Sequence, residues 1–222
     1  MQPYYEHAGI TIYHGDCREV LPAIKYQHFV GSNAVDFMLT DPPYGICYDA
    51  SHSKYKNGID RGPVWWDNEP FDPLPILSLG LPAIIWGGNC FASRLPESSK
   101  WLAWIKTARD DADIRQADME LAWTNCLGRS RVFHHLWIGA YRDSESGIQN
   151  YHPTQKPLEL MAWCLNLRPE AQRILDPYCG SGTTLRAAKD LGRRAVGIEI
   201  EERYCEIAAR RLSQEVFDFS NV

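Results

Sequence analysis

The sequence predicts an α/β fold, an open and mostly parallel sheet with helices on both faces. Three observations predict it. The last fifty residues alternate strand and helix, with apolar runs at Arg173–Leu175 and Ala195–Ile200 and helical stretches at Thr183–Leu191 and Glu201–Leu212. Two turns, at 41–45 and 176–182, follow directly on apolar runs, where sheets of this class place their sites. A length of 222 residues, with 45% hydrophobic content, suffices for one domain with a sizeable core but not for a second of ordinary size.

Along the chain, Ile10–Tyr13 reads as a short strand, and Gly15-Asp16 as the turn before a short helix, Cys17–Ile24. Ala34–Thr40 reads as a buried strand running straight into Asp41-Pro42-Pro43-Tyr44-Gly45. Residues 46–71, rich in Gly, Lys, Asp, Asn and Trp and without periodicity, are expected to form a long mobile loop of the kind that carries function. Ala83–Trp86 is a strand that ends at Gly87-Gly88-Asn89. Trp101–Ile105, Met119–Thr124 and Val132–Trp137 read as strands of the sheet's second half. After a polar, turn-rich stretch at Asp143–Asn150, Pro157–Leu167 reads as an amphipathic helix with Pro at its first position.

Composition narrows the function classes. No apolar run has the length of a membrane span, and Met1–Tyr5 lack the basic and apolar regions of a secretory signal, so a cytoplasmic protein is expected. The seven cysteines are odd in number, widely spaced and free of CxxC pairs, which argues against a disulfide framework and a zinc site. A net charge of -5 does not by itself suggest a nucleic-acid partner. Basic residues nevertheless gather at Lys54, Lys56 and Arg61, at Lys100, Lys106 and Arg109, and at Arg129, Arg131 and Arg142, with ordinary solvated faces as the alternative.

Two motifs carry chemistry. In Asp176-Pro177-Tyr178-Cys179-Gly180-Ser181-Gly182-Thr183-Thr184, the two glycines let backbone approach a ligand closely, just before a helix N-terminus. The motif lacks the Gly-Lys-Ser/Thr ending of a phosphate loop, and the next strand ends at Glu199, where an acid holds a ribose diol. Together they point to a nucleoside cofactor, against the alternative of a plain strand-to-helix turn. In Asp41-Pro42-Pro43-Tyr44, the paired prolines stiffen the chain and free carbonyl acceptors, Asp41 adds a carboxylate, and Tyr44 adds an aromatic face. An amino group conjugated to a base ring is a poor nucleophile. Acceptors that hold its hydrogens localise the nitrogen lone pair, while an aromatic ring stacks on a base drawn out of the duplex. A rigid turn is the alternative for this motif.

In these motifs and their order the sequence resembles the amino-group DNA methyltransferases (adenine-N6 or cytosine-N4), whose signatures are an Asp-Pro-Pro-Tyr box and an Asp-Pro-Phe-x-Gly-Ser-Gly-Thr box. Catalytic box first and cofactor box last is similar to the beta group of that family. Gly15-Asp16-Cys17 resembles the family segment on the cofactor adenine, and His152-Pro153-Thr154-Gln155-Lys156-Pro157 the segment enclosing its methionine part. Tyr178 departs from the usual Phe. The resemblance spans roughly residues 8–213 and implies a Rossmann-like S-adenosylmethionine-dependent fold with a mixed seven-stranded sheet.

It further implies a single catalytic domain over residues 1–222, with a small target-recognition insertion around 106–150. Asp41, Pro42, Pro43 and Tyr44 are its expected catalytic residues. Asp16, Cys17, Thr154, Lys156, Asp176, Tyr178, Gly180, Ser181, Gly182, Thr183 and Glu199 are expected to bind S-adenosyl-L-methionine. Lys54, Lys56, Arg61, Arg129, Arg131, His134 and Arg142, with His135 beside them, are candidates for contacting double-stranded DNA whose target base is flipped out. Trp65 and Trp66 read either as stacking wedges or as a hydrophobic lid. No metal and no cysteine nucleophile are required. A bacterial or phage-encoded restriction–modification setting is expected, and a homodimer is left open. Asp41 favours adenine N6 over cytosine N4, because the cytosine enzymes more often carry Ser there. From other classes, a nicotinamide-dependent dehydrogenase leaves Asp41–Tyr44 unexplained, and a non-catalytic DNA-binding protein on the same scaffold sits poorly with intact Asp41, Tyr44 and Glu199.

Overall fold

The computed structural model describes residues 1–31, 34–46, 67–107, 117–138, 141–147, 151 and 154–214. The chain begins with a hairpin of β1 (Tyr5–His7) and β2 (Ile10–His14). Its two turn residues, Ala8 and Gly9, both have positive φ (49° and 80°), the backbone that matches a two-residue turn to the twist of the strands. Then follow α1 (Cys17–Ala23), α2 (Lys25–His28), β3 (Phe37–Thr40), α3 (Leu74–Leu77), β4 (Ala83–Trp86) and a 3-10 segment, Gly88–Arg94. The middle of the chain is strand-rich: β5 (Trp101–Ile105), β6 (Met119–Thr124), β7 (Arg131–His134), and a small separate hairpin of β8 (Trp137–Ile138) and β9 (Tyr141–Arg142). The last part alternates as expected: α4 (Leu158–Asn166), β10 (Arg173–Asp176), α5 (Thr183–Asp190), β11 (Arg194–Glu199) and α6 (Glu202–Ser213).

Among the described residues the main sheet has nine strands in the order β1-β2-β11-β10-β3-β4-β6-β5-β7, a correction to the seven expected. The surplus lies at the edges, where β1 folds back on β2 and β7 docks parallel to β5. From β2 to β4 all pairings are parallel, and β6 is antiparallel to both its neighbours. Residues 106–150 therefore do not form a separate insertion throughout, since β6 and β7 belong to the main sheet.

A parallel sheet flanked on both faces needs strands apolar on both sides. One face of the sheet carries Ile10, Ile12, Phe37, Leu39, Ile84 and Trp86, packed with Leu160 and Cys164 of α4, Leu185 of α5, and Ala208 and Leu212 of α6. The residues between them, Tyr13, Met38, Ala83 and Ile85, with Val196 and Ile198, face the other way onto Val20 and Leu21 of α1, Ile76 of α3 and Phe91. Strict alternation along β2, β3 and β4 thus feeds two cores from one sheet. Pro157 caps α4 rather than starting it. Among the described residues no helix is long and apolar enough to cross a membrane.

Ile84 is fully buried on a central strand. Ile84→Ala is expected to lower stability by about 2–5 kcal/mol, through lost transfer energy and an unfilled cavity, as read from urea unfolding with an unchanged m-value.

Candidate active site

The sheet's connections reverse direction between β3 and β10, which lie side by side and parallel. From β3 the chain moves through α3 to β4 on one side, and from β10 through α5 to β11 on the other. The crevice above such a switch point is where α/β sheets hold ligands. Here it joins the two motifs. The Thr40 hydroxyl donates to Asp176 Oδ1 at 2.8 Å, inside the protein, so the turn that begins at Asp41 is tied to the turn that begins at Asp176. Asp176 also accepts from the Tyr178 amide at 3.2 Å, and burial pushes its carboxyl up to about 6.

Around Asp41 lies a compact charged cluster. Its Oδ1 accepts from the Tyr44 hydroxyl at 2.6 Å, and its Oδ2 accepts from the Lys156 ammonium at 2.7 Å. Lys156 also donates to the Tyr44 oxygen at 2.9 Å and stands 3.1 Å from Glu120 Oε2. Glu120 Oε1 in turn pairs with Lys106 at 2.7 Å. Only 6% of the Lys156 side chain is exposed, so its charge depends on these partners. Burial alone would lower its pKa, but Asp41 and Glu120 together hold the ammonium above its ordinary value. Burial pushes Asp41 up, against the pull of Lys156. In Glu120 the two ammonium groups outweigh burial and hold the carboxyl at about 2.

The Tyr44 ring is seated by a glycine. A Cβ on Gly87, at the end of β4, would lie 1.9 Å from Tyr44 Cε1, and Gly87 has φ of 71°. Asp67, on the return from residues 46–66, accepts from the amides of Tyr44 and Gly45 at 2.8 and 2.7 Å and fixes the turn from outside. Burial and the neighbouring carboxylates raise the Tyr44 hydroxyl well above its ordinary range, so it serves as a hydrogen-bond donor.

The second turn is built around Glu199, nearly buried at the end of β11. Its Oε2 accepts from the Gly180 amide at 2.8 Å and its Oε1 from the Glu201 amide at 2.9 Å. Burial raises its carboxyl to about 7. Gly182 adopts φ of 81° and lies against α6, where a Cβ would come within 2.9 Å of the Ala208 Cβ. The Gly15 amide donates to the Glu199 carbonyl at 2.9 Å, bringing Asp16 and Cys17 to the same place. Asp16 caps α1 and pairs with the Arg18 guanidinium, and the Cys17 thiol donates to the Tyr178 hydroxyl at 3.1 Å. Ser181 donates to Gln155 at 3.4 Å, and its carbonyl accepts from Arg211 at 2.6 Å, which also reaches Thr183 at 3.5 Å.

Lys156, expected in the segment enclosing the methionine part of the cofactor, reaches Asp41. Its neighbour Gln155 faces Ser181, and the next side chain along points to the other motif, so Gln155 and Lys156 bridge both turns. Thr154 is exposed, and His152 and Pro153 lie outside the described residues. Glu120, Lys106, Asp67 and Gln155 were not singled out as site residues in the sequence. The available signal was Glu120's place at an inward register position, on the same side of β6 as buried Ala122.

Among the described residues, the proposed nucleic-acid residues do not converge. Lys54, Lys56, Arg61, Trp65 and Trp66 lie outside the described residues. Because β7 runs parallel to β5 and β4, Arg131 at its start and Arg129 before it stand at the opposite end of the sheet from Asp41, where they line a cleft of about 500 Å³ with Arg168 and Glu170. His134, at the far end of β7, is exposed on the Asp41 side. Arg142 lies over the Trp137 ring at 4.2 Å, and buried His135 stacks with Phe133 and hydrogen-bonds Ser144 at 2.9 Å, a packing role.

Residues 97–210 match a family model described as DNA methylase, of the N6/N4 type. The type II methyltransferase M2.LlaDCHI of Lactococcus lactis subsp. cremoris is 40% identical over 261 residues, covering 96% of this chain and 93% of that protein. The type II methyltransferase M.ScaI of Streptomyces caespitosus is 27% identical over 265 residues, covering 96% and 84%. Among solved structures, the M1.HpyAVI–SAM complex superposes with a TM-score of 0.55 at 26% identity, over 91% of this chain and 99% of that one. The cytosine-N4-specific PvuII DNA methyltransferase superposes with a TM-score of 0.61 at 14% identity, over 100% and 90%, a likeness of fold alone.

Gly87→Ala is expected to drive the Tyr44 ring from its seat, at a cost of roughly 1–3 kcal/mol from the clash and the positive φ. Thermal unfolding gives the magnitude, and a crystal structure of the variant checks whether the Tyr44–Asp41 hydrogen bond is lost.

Proposed function

The chain belongs to the family of DNA methylases that act on exocyclic amino groups, and on that premise we propose that it methylates N6 of adenine, using S-adenosyl-L-methionine. The observation that carries this reading is the tie between the two motifs at the switch point, where Thr40 binds Asp176 at 2.8 Å. It brings a carboxylate suited to an amino group next to a turn suited to a nucleoside.

The turn fits the cofactor. Glu199 offers a carboxylate to a ribose diol, Gly180 and Gly182 keep the backbone open to close approach, and Tyr178 with Cys17 gives an apolar and aromatic wall. When bound, the cofactor supplies a methyl group on an electrophilic sulfonium. The protein's part is positioning. Asp41 and the Pro42 carbonyl accept the hydrogens of the target amino group, which localises the nitrogen lone pair. Tyr44 borders the base, and Asp41 is placed to receive the proton that the methylated nitrogen releases. No covalent enzyme intermediate is needed, consistent with buried Cys179, whose thiol burial raises well above its ordinary value.

Adenine is favoured over cytosine by Asp41, since the resemblance associates cytosine N4 with Ser at that position. The N4-specific structural likeness is one of fold and does not weigh against it. Target recognition is expected of residues 106–150 with help from 46–71, and within them His134 stands exposed on the Asp41 side.

Incubation with isotope-labelled S-adenosylmethionine and unmethylated DNA, followed by digestion to nucleosides and mass spectrometry, is expected to place the label in N6-methyladenine. Asp41→Ala is expected to lower the rate about 10²–10⁴-fold. Label in N4-methylcytosine would overturn the base assignment and keep the mechanism. Glu199 supplies a pH test. A diol donor favours the ionised carboxylate, so affinity for S-adenosylhomocysteine is expected to rise with pH through about 7. Calorimetry at several pH values checks this, and Glu199→Gln is expected to bind weakly with a flat profile.

A further inference from the structure

Each Asp41 oxygen already accepts one hydrogen bond from the protein itself, from Tyr44 at 2.6 Å and from Lys156 at 2.7 Å. A target amino group that is to bind Asp41 meets this ammonium. Its neutral N–H is a weaker donor than a charged one, by roughly a factor of two in strength. Lys156 can loosen its hold on Asp41 only if it has another buried anion to hold it, because an unpaired ammonium in this setting is strongly unfavourable.

Glu120 is that anion. Its Oε2 lies 3.1 Å from the same Nζ, and its Oε1 is pinned by Lys106 at 2.7 Å. Both carboxylates already contact this ammonium, so a small shift toward Glu120 loosens it from Asp41 while it stays paired. We propose that Glu120 is a positioning residue that draws Lys156 away from Asp41 as the target amino group arrives, leaving Asp41 as the acceptor for that group. This rests on the amino-methylation reading above. Two features of the geometry support it. The Lys156–Asp41 contact is the shorter of the two, so Asp41 is the resting seat. Lys106 fixes Glu120 in place, so the second seat does not collapse onto the first.

The test is a cycle on steady-state methyl transfer to DNA. Glu120→Gln keeps the shape and removes the charge, so Lys156 stays on Asp41. The expected result is a fall in kcat of about tenfold or more, with KM for DNA and S-adenosylhomocysteine affinity changed less than about threefold. Glu120→Asp is expected to recover part of kcat. Because Glu120 acts through Lys156, its substitution is expected to have no further effect in a Lys156→Met background. An unchanged kcat in Glu120→Gln, a change confined to KM, or the same loss with and without Lys156 would each overturn the proposal. If Glu120→Gln does not fold, Glu120→Ala carries the same comparison in both backgrounds. A wild-type chain that transfers no methyl group to any DNA would sink the underlying reading and this proposal with it. An active wild type with an indifferent Glu120→Gln would sink this proposal alone.

Discussion

The parallel pairing of β3 with β10 is the constraint on which the rest of the site depends. These strands are 133 residues apart at their nearest ends (Thr40 to Arg173), yet they adjoin in the middle of the sheet. One ends in the turn bearing Asp41 and the other in the turn bearing Asp176. The hydrogen bond from Thr40 to Asp176 locks the two ends in register. The order of motifs along the chain is therefore immaterial to the geometry. What matters is that both strands point the same way and that their connections depart to opposite sides, opening a crevice between them. A slip of one residue in either strand would turn Thr40 or Asp176 to the other face and separate the motifs.

Above that junction the protein tolerates a costly arrangement, several charges held away from water. Asp41, Glu120, Lys106 and Lys156 balance to zero formal charge, and the Tyr44 hydroxyl bridges within them. Such a network earns its place less through stability than through specificity of arrangement, since apolar residues of like shape often pack as well. Here it fixes the orientation of Asp41, keeps Lys156 charged and places Tyr44 over Gly87. Asp67 restrains the same turn through backbone amides, so Tyr44 is held by its ring, its hydroxyl and its own amide.

Much of this was legible in the sequence, for physical reasons. The strands from β2 to β6, and β10 and β11, announce themselves as apolar runs bounded by turn residues, and both motifs stand where those runs end. The small element β1 was not legible, because its turn uses Ala8 in a left-handed conformation that alanine seldom adopts. The contact of Lys156 with Asp41 is not legible in the sequence, because neighbouring side chains in an extended segment point to opposite sides and which side is which depends on the fold. Glu120 carries no motif of its own, and only its register on β6, on the side of buried Ala122, places it inward. Arg129 and Arg131 looked like a basic patch near the site because strand direction is invisible until the pairing partner is known. Once β7 is parallel to β5, its beginning falls at the sheet end remote from Asp41.

The same placement bears on how an acidic chain meets a polyanion. Lys106 and Lys156 lie at the catalytic end, but their charges are already met by Glu120 and Asp41, so they do not add to an outward basic surface. Arg18, Arg186 and Arg210 are likewise paired, with Asp16, Asp190 and Glu206. Phosphate binding draws on local cations, not on net charge. Lys54, Lys56 and Arg61, the other expected phosphate contacts, lie outside the described residues. Among the described residues, the internal cations are committed to the site's own carboxylates, and Arg129 and Arg131 stand at the other end of the sheet.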